Sequence, residues 1–338
     1  MNTLKHKLSV ASAFVAILMV SLVVSSNSWA ANSGEEKDVK GFSKVVTRSV
    51  ELWSDGTRLA GDLFYPKGVS DGDKLPAIVL CHGWGGKKEH LNRAIAPGFA
   101  AEGYVVLSFD YRGWGESDAR LVVHGKMPKP DKDGYVTVKA QAIKEVVDPV
   151  DQQMDIDNAI SFIEGESMVD TGRIGIWGSS FGGGHVIWRA AHDDRVACVV
   201  SQVGGMNGKA LNTLNSQLSK VRTQRARGEI APVPQDIAMP GGELQGTAFM
   251  ERVVQFSPGY FAKDVTVPTL LLDGDQEHYF DITENSGAVY KVLKKNGIPT
   301  EYHVLKDTKH YDVYRGEVLE RVMKLEVAWF DKHLKNKK

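Results

Sequence analysis

Largely apolar runs recur along the chain at 77–81, 104–109, 174–177 and 267–272, each followed by glycines or polar residues, with a further strand-like run at 195–203. Runs this short, without strict alternation, are the pattern of strands covered on both faces. Between them lie stretches with helical spacing, such as Met154, Ile156, Ala159, Ile160 and Ile163 within 151–163. Further helices are predicted at 94–102, 186–191, 282–296 (closed by Gly297 and Pro299) and 313–334, and a last strand at 301–305. Ahead of these, 45–53 and 58–65 read as two strands joined at Ser54-Asp55-Gly56-Thr57. Strands alternating with helices predict an α/β fold, a mostly parallel central sheet with helices on both faces. Two stretches break the alternation: 118–147, with Pro128, Pro130 and a short helical candidate at 139–147, and 204–263, helix-like over 211–227 and then irregular. Both read as insertions in one domain spanning 42–338, and the second as a lid or pocket wall.

The N-terminus adds a compartment. Lys5 and Lys7 precede an uncharged stretch, 8–24, and Ser28-Trp29-Ala30 has the small-x-small pattern of a cleavage site. Seventeen uncharged residues fall short of the ~20 that span a bilayer. Residues 1–30 are therefore read as a signal peptide, and the mature protein as exported, periplasmic or secreted, with no stable membrane association. Residues 31–41 are polar and expected to be disordered. Two cysteines, Cys81 and Cys198, fall on predicted strands with another strand between them, so free thiols are expected rather than a disulfide. The formal net charge of −1 over 338 residues gives no basis for a nucleic-acid partner.

The chemistry centres on RIGIWGSSFGGGH (173–185), where a strand, a G-x-S-x-G turn and a helix follow in order. This is a nucleophile elbow: the turn lifts the Ser180 hydroxyl above the sheet, and glycines at 178 and 182 leave room for neighbouring backbone. Residues 68–72 also fit the pattern around Ser70, but in a polar stretch with no strand before or helix after. A serine hydroxyl needs a base near neutral pKa, and the imidazolium formed needs a carboxylate. His310 follows the last strand. Glu277 follows the run at 267–272, with Asp281 and Asp275 as alternatives. Asp281 can be explained as a helix cap, and Asp275 points along the strand exit. Oxyanion donors are expected from the backbone N–H groups of Phe181 and of Trp84, the latter in the glycine-rich HGWGG (82–86). His82 is read as a structural hydrogen-bonder, and the carboxylates Asp148, Asp151, Asp155 and Asp157 as a helix start and solvated face. No metal is expected: His278 occupies the glycine position of a calcium loop at 273–278, and His278, His303 and His310 lack zinc-site helical spacing.

With HGWGG (82–86), DYRGWGES (110–117), GSSFGGG (178–184), LLLDGDQEH (270–278) and DTKHYDVY (307–314), the chain resembles α/β-hydrolases across 45–335. It is similar in particular to the dienelactone-hydrolase-like and X-Pro-peptidase-like (S15-type) serine hydrolases. Dienelactone hydrolases proper use a Cys nucleophile, absent here, and most such families place Asp where this chain has Glu277. The resemblance implies a cofactor-free serine hydrolase using Ser180, His310 and Glu277. A small-molecule carboxylic ester is the expected substrate. Peptidase, amidase or thioesterase chemistry with the same residues is the alternative, and a non-catalytic binding protein is a more distant one. Trp84, Met206, Phe249 and Phe256 are expected to line an adaptable apolar pocket.

Overall fold

The computed structural model describes residues 34–70, 72–206, 215–234 and 244–335. The signal peptide expected at 1–30 lies outside the described residues. The chain runs through β1 (Lys37–Val39), β2 (Phe42–Ser54), β3 (Thr57–Pro66), β4 (Leu75–Cys81), α1 (Lys88–Asn92), α2 (Ile95–Ala101) and β5 (Val105–Phe109). An excursion follows: β6 (Arg120–Val123), β7 (Ala140–Ile143) and β8 (Val146–Val147). The alternation resumes with α3 (Pro149–Glu164), β9 (Val169–Ser179), α4 (Phe181–Ala190) and β10 (Val196–Gln202). After a second excursion, α5 (Asn215–Ala226), β11 (Thr247–Ala248) and α6 (Met250–Val253), come β12 (Thr269–Gly274), α7 (Ser286–Lys295), β13 (Thr300–Leu305) and α8 (Gly316–Phe330).

Among the described residues nine strands form one sheet, ordered β1-β2-β3-β5-β4-β9-β10-β12-β13. The β1–β2, β2–β3 and β3–β5 pairs are antiparallel, and every pair from β5 to β13 is parallel. Alternate residues of β4 leave by opposite faces, as the pleat requires. Ala77, Val79 and Cys81 enter one core layer with Ile156, Ile160, Val186 and Val289 from α3, α4 and α7. Ile78 and Leu80 enter the other with Phe99 of α2 and Val322 and Phe330 of α8. Both faces are covered, so the apolar runs need no alternation. The carboxyl ends of β4, β9, β12 and β13 converge at one edge, where such sheets place their sites.

Several expectations are corrected. Lys37–Val39, inside the stretch expected to be disordered, forms β1 on β2, and the Tyr65 hydroxyl donates to Glu36 at 2.6 Å. The helix expected at 139–147 is absent: β7 pairs antiparallel with β6 and β8 parallel with β11. Glu145 between them sits at φ +55°, which no helix accommodates, and so short a helix has little stability of its own. Asp155 is not solvated; it is fully buried, accepting from Arg112 N (2.9 Å), Nε (2.9 Å) and Nη2 (2.6 Å). Helix α7 begins at Ser286, four residues after its expected start, because Asp281 closes a turn on Thr283 first.

Among the described residues Cys81 on β4 and Cys198 on β10 are buried and form no disulfide, with β9 between them and each in a different core layer. Burial pushes the Cys81 thiol up to about 12, so it holds no thiolate at neutral pH. Titration with a thiol reagent should find neither thiol in the native protein and both in denaturant without reductant. Fewer than two in denaturant would mean a bridge.

Candidate active site

The polypeptide reverses from β9 into α4 at Ser180, whose backbone sits at φ +59°, ψ −124°. A side chain in that region costs ~1–3 kcal/mol and persists only where its surroundings enforce it. Here Ser180 N donates to Gln202 O at 2.9 Å, and Ser180 O accepts from Gly183 N (2.9 Å) and Gly205 N (3.1 Å). The flanking glycines are sterically required. A Cβ on Gly178 would lie 2.2 Å from Gly182 O, and one on Gly182 would lie 2.1 Å from Cys81 O. Ser70, in contrast, spends its hydroxyl on Asp73 at 2.9 Å.

Two loops bring their side chains to this turn. His310 Nε2 lies 3.0 Å from Ser180 Oγ, and His310 Nδ1 lies 2.6 Å from Glu277 Oε2. The carboxylate can only accept, so the imidazole proton sits on Nδ1 and Nε2 is left to accept from the serine hydroxyl. Both the Glu277 and His310 side chains are 2% exposed. Burial works against the ionised Glu277. Hydrogen bonds from His310 and from the Tyr279 and His278 N–H groups outweigh it and hold the carboxyl below the usual glutamate range. The other two acids serve the backbone. Asp281 Oδ1 accepts from Thr283 N (2.8 Å) and Oγ1 (2.7 Å), and Asp275 Oδ1 accepts from Thr308 N at 3.1 Å.

The glycine-rich loop 82–86 crosses directly beside the elbow: a Cβ on Gly83 would lie 2.7 Å from Ser180 Cβ. The Trp84 and Phe181 rings meet edge-on at 5.4 Å. Among the described residues neither the Trp84 nor the Phe181 N–H donates to a protein acceptor, and Phe181 opens α4, where N–H groups have no partner within the helix. His82 is spent on structure: its Nδ1 faces Gly83 O at 3.0 Å and its ring lies 4.3 Å from that of Tyr111. Burial lowers its pKa to about 4, so it is neutral.

A cleft of about 630 Å³ opens beside Ser180, lined by Trp84, Lys87, His90, Gln245, Tyr311 and Tyr314 among others. Of the pocket residues expected from sequence, Trp84 is there. The other three are placed elsewhere. Met206 is fully buried, with its N–H donating to Asn285 Oδ1 at 2.7 Å. Phe249 is buried against the guanidinium groups of Arg225 and Arg252. Phe256 packs on Phe181 and His185, behind the elbow. Sequence reading missed α1, Tyr311 and Tyr314 as cleft wall. Their signal was position: they directly follow the glycine loop and His310. Of the insertion at 204–263, Leu244 and Gln245 reach the cleft; residues 207–214 and 235–243 lie outside the described residues.

The sheet order, the serine turn and the loops at the carboxyl edge define an α/β hydrolase. Comparison with known proteins agrees. The profile of the prolyl oligopeptidase family matches residues 147–337, more than half of the chain, and that of the X-Pro dipeptidyl-peptidase (S15) family matches residues 55–216. The chain belongs to the prolyl oligopeptidase family within the α/β-hydrolase superfamily. An Escherichia coli relative, an uncharacterized 31.7 kDa protein of the traX-finO intergenic region, is 29% identical over 297 residues, 77% of this chain and 92% of its own. The quorum-quenching protein AidA of Acinetobacter baumannii is 27% identical over 284 residues, 74% of this chain and 84% of its own. Among solved structures, a hypothetical protein from Pseudomonas aeruginosa superposes with a TM-score of 0.64 at 25% identity, covering 88% of this chain and 97% of that one.

The depressed Glu277 pKa makes a stability prediction. Its contribution is fully present above the unfolded glutamate value of ~4.3 and is lost as pH falls through the lower folded value. The Tm gap between parent and Glu277→Gln should therefore be widest near neutrality and shrink on acidification toward pH 3. A gap constant with pH would contradict this.

Proposed function

We propose that this α/β hydrolase is a serine hydrolase that cleaves carboxylic esters through an acyl-enzyme, working in the periplasm or outside the cell. The observation that carries the reading is the hydrogen-bonded chain from Ser180 Oγ through His310 to Glu277. Ser180 Oγ attacks the ester carbonyl carbon while His310 Nε2 takes its proton. The oxyanion of the tetrahedral intermediate accepts from the Trp84 and Phe181 N–H groups, which are fixed before substrate arrives. Glu277 stays ionised and stabilises the imidazolium across 2.6 Å. His310 then protonates the departing alcohol oxygen. Water repeats the cycle: His310 removes its proton, its oxygen attacks the acyl carbon, and the acid leaves with Ser180 restored. All groups come from the chain itself, so the reading calls on no cofactor. The leader pattern of Lys5, Lys7 and 8–24 supports export.

Amide cleavage is the second reading, favoured by the prolyl oligopeptidase profile, since the same three groups can expel an amine. Rates on an ester, a thioester and an amide of one acyl group separate these chemistries, and the proposal expects the ester to be fastest. On a short-chain p-nitrophenyl ester, Ser180→Ala should abolish turnover, and Glu277→Gln should lower kcat on the order of 10⁴-fold, by analogy with serine proteases. Asp281→Asn and Asp275→Asn should each lose far less than Glu277→Gln, since neither carboxylate touches His310. Unchanged turnover by Ser180→Ala, or a collapse confined to Asp281→Asn, would overturn the assignment.

A further inference from the structure

His310 sits on the loop between β13 and α8, and that loop is tied down on both sides of it. Before His310 it is bound to the loop carrying Glu277. Thr308 N donates to Asp275 Oδ1 at 3.1 Å, and Gln276 N donates to Thr308 O at 3.0 Å. After His310 the chain closes a tight turn: Asp312 N donates to Lys309 O at 3.1 Å, while Asp312 Oδ2 accepts from Lys309 N at 3.0 Å. The turn continues as a short 3₁₀ helix, Asp312–Tyr314. Its last residue reaches across the site, and the Tyr314 hydroxyl meets Ser179 Oγ at 2.5 Å. Ser179 immediately precedes the nucleophile and accepts from Gln202 Nε2 at 3.0 Å. The same Gln202 holds Ser180 N through its carbonyl oxygen.

We infer that Tyr314 is a positioning residue for His310: its hydroxyl, through Ser179, ties the loop of the base to the strand of the nucleophile. The inference rests on the proposed roles of Ser180 and His310. Ser179 Oγ accepts the Gln202 N–H and keeps both a lone pair and its own hydrogen, so either hydroxyl of the Ser179–Tyr314 pair can donate to the other. The turn between His310 and Tyr314 is internally hydrogen-bonded, so fixing one end fixes the other. Val313 anchors it in the core with no exposed surface, and the Tyr314 ring packs against the same cluster. Removing the hydroxyl therefore leaves the ring in place as cleft wall. What is lost is the tie, and with it the register of Nε2 on Ser180 Oγ. A 1 Å misplacement of a reacting group costs on the order of 10²-fold in rate.

The test uses the whole chain and three variants, Tyr314→Phe, Ser179→Ala and the double. They are assayed on a p-nitrophenyl ester and by the low-field proton NMR signal of the His310 Nδ1–H held by Glu277. Each single change should lower kcat by about tenfold to a hundredfold, with KM within about twofold, since the positioning effect acts on the reacting geometry and not on substrate affinity. The double should lose no more than the worse single, because both remove one tie. The low-field signal should broaden or move upfield in all three. Parent-like kcat with an unchanged signal in Tyr314→Phe overturns the inference. So does a rise in KM at constant kcat, which would make Tyr314 a substrate contact, or a fully additive loss in the double. A Ser180→Ala control that keeps parent activity overturns the reading of the site itself, and the tie falls with it.

Discussion

The site depends on a serine held where serine does not rest by choice. Between β9 and α4 the chain has no residue to spare, so Ser180 takes a positive φ and its hydroxyl stands off the sheet edge. The turn can be this tight only because Gly178 and Gly182 let backbone touch backbone, with Cys81 O of the next strand occupying the space a side chain would need. The strain of ~1–3 kcal/mol is small beside the two core layers that clamp β9 between β4 and β10. The sheet is what makes the turn stable, and the turn is what makes one serine among many reachable.

Electrostatics then separates one histidine from its neighbours. His82 and His185 are as buried as His310, but His82 faces a carbonyl, and His185 lies between Gln152 and Gln153. Without a carboxylate, burial drives both toward the neutral form, to about 4 and about 3. Among the described residues His310 alone of these three has an acid at Nδ1, and that acid is itself held ionised by two backbone N–H groups. Its ring is enclosed by Tyr279, Tyr311 and Phe280, which exclude water from the Glu277 contact.

What could be read from sequence follows from how local each signal is. The strands were legible because a face buried on both sides leaves an apolar run, and the elbow because strand, glycines and helix sit within thirteen consecutive residues. The choice of Glu277 over Asp281 and Asp275 rested on the offset from Gly274 that the family resemblance implies and on the tendency of aspartate to cap turns, and the structure places Glu277 alone of the three on His310. Positions set by tertiary contact were not legible. The segment at 139–147 becomes two strands because β6 and β11 lie beside it. Asp155 looks like a surface carboxylate until Arg112, forty-three residues away, arrives to pair with it. Met206 and Phe249 have the composition of a pocket wall, yet Asn285 and two arginines draw them into the interior.

The proposed chemistry requires Ser180 to become covalently acylated. Its most direct test is intact mass spectrometry and peptide mapping of the protein after brief exposure to a fluorophosphonate, beside protein first unfolded in denaturant. One adduct per native chain is expected, on the peptide holding Ser180, and none on the unfolded chain, where His310 is no longer held beside it. An adduct on another residue, or equal labelling of native and unfolded protein, would contradict that chemistry.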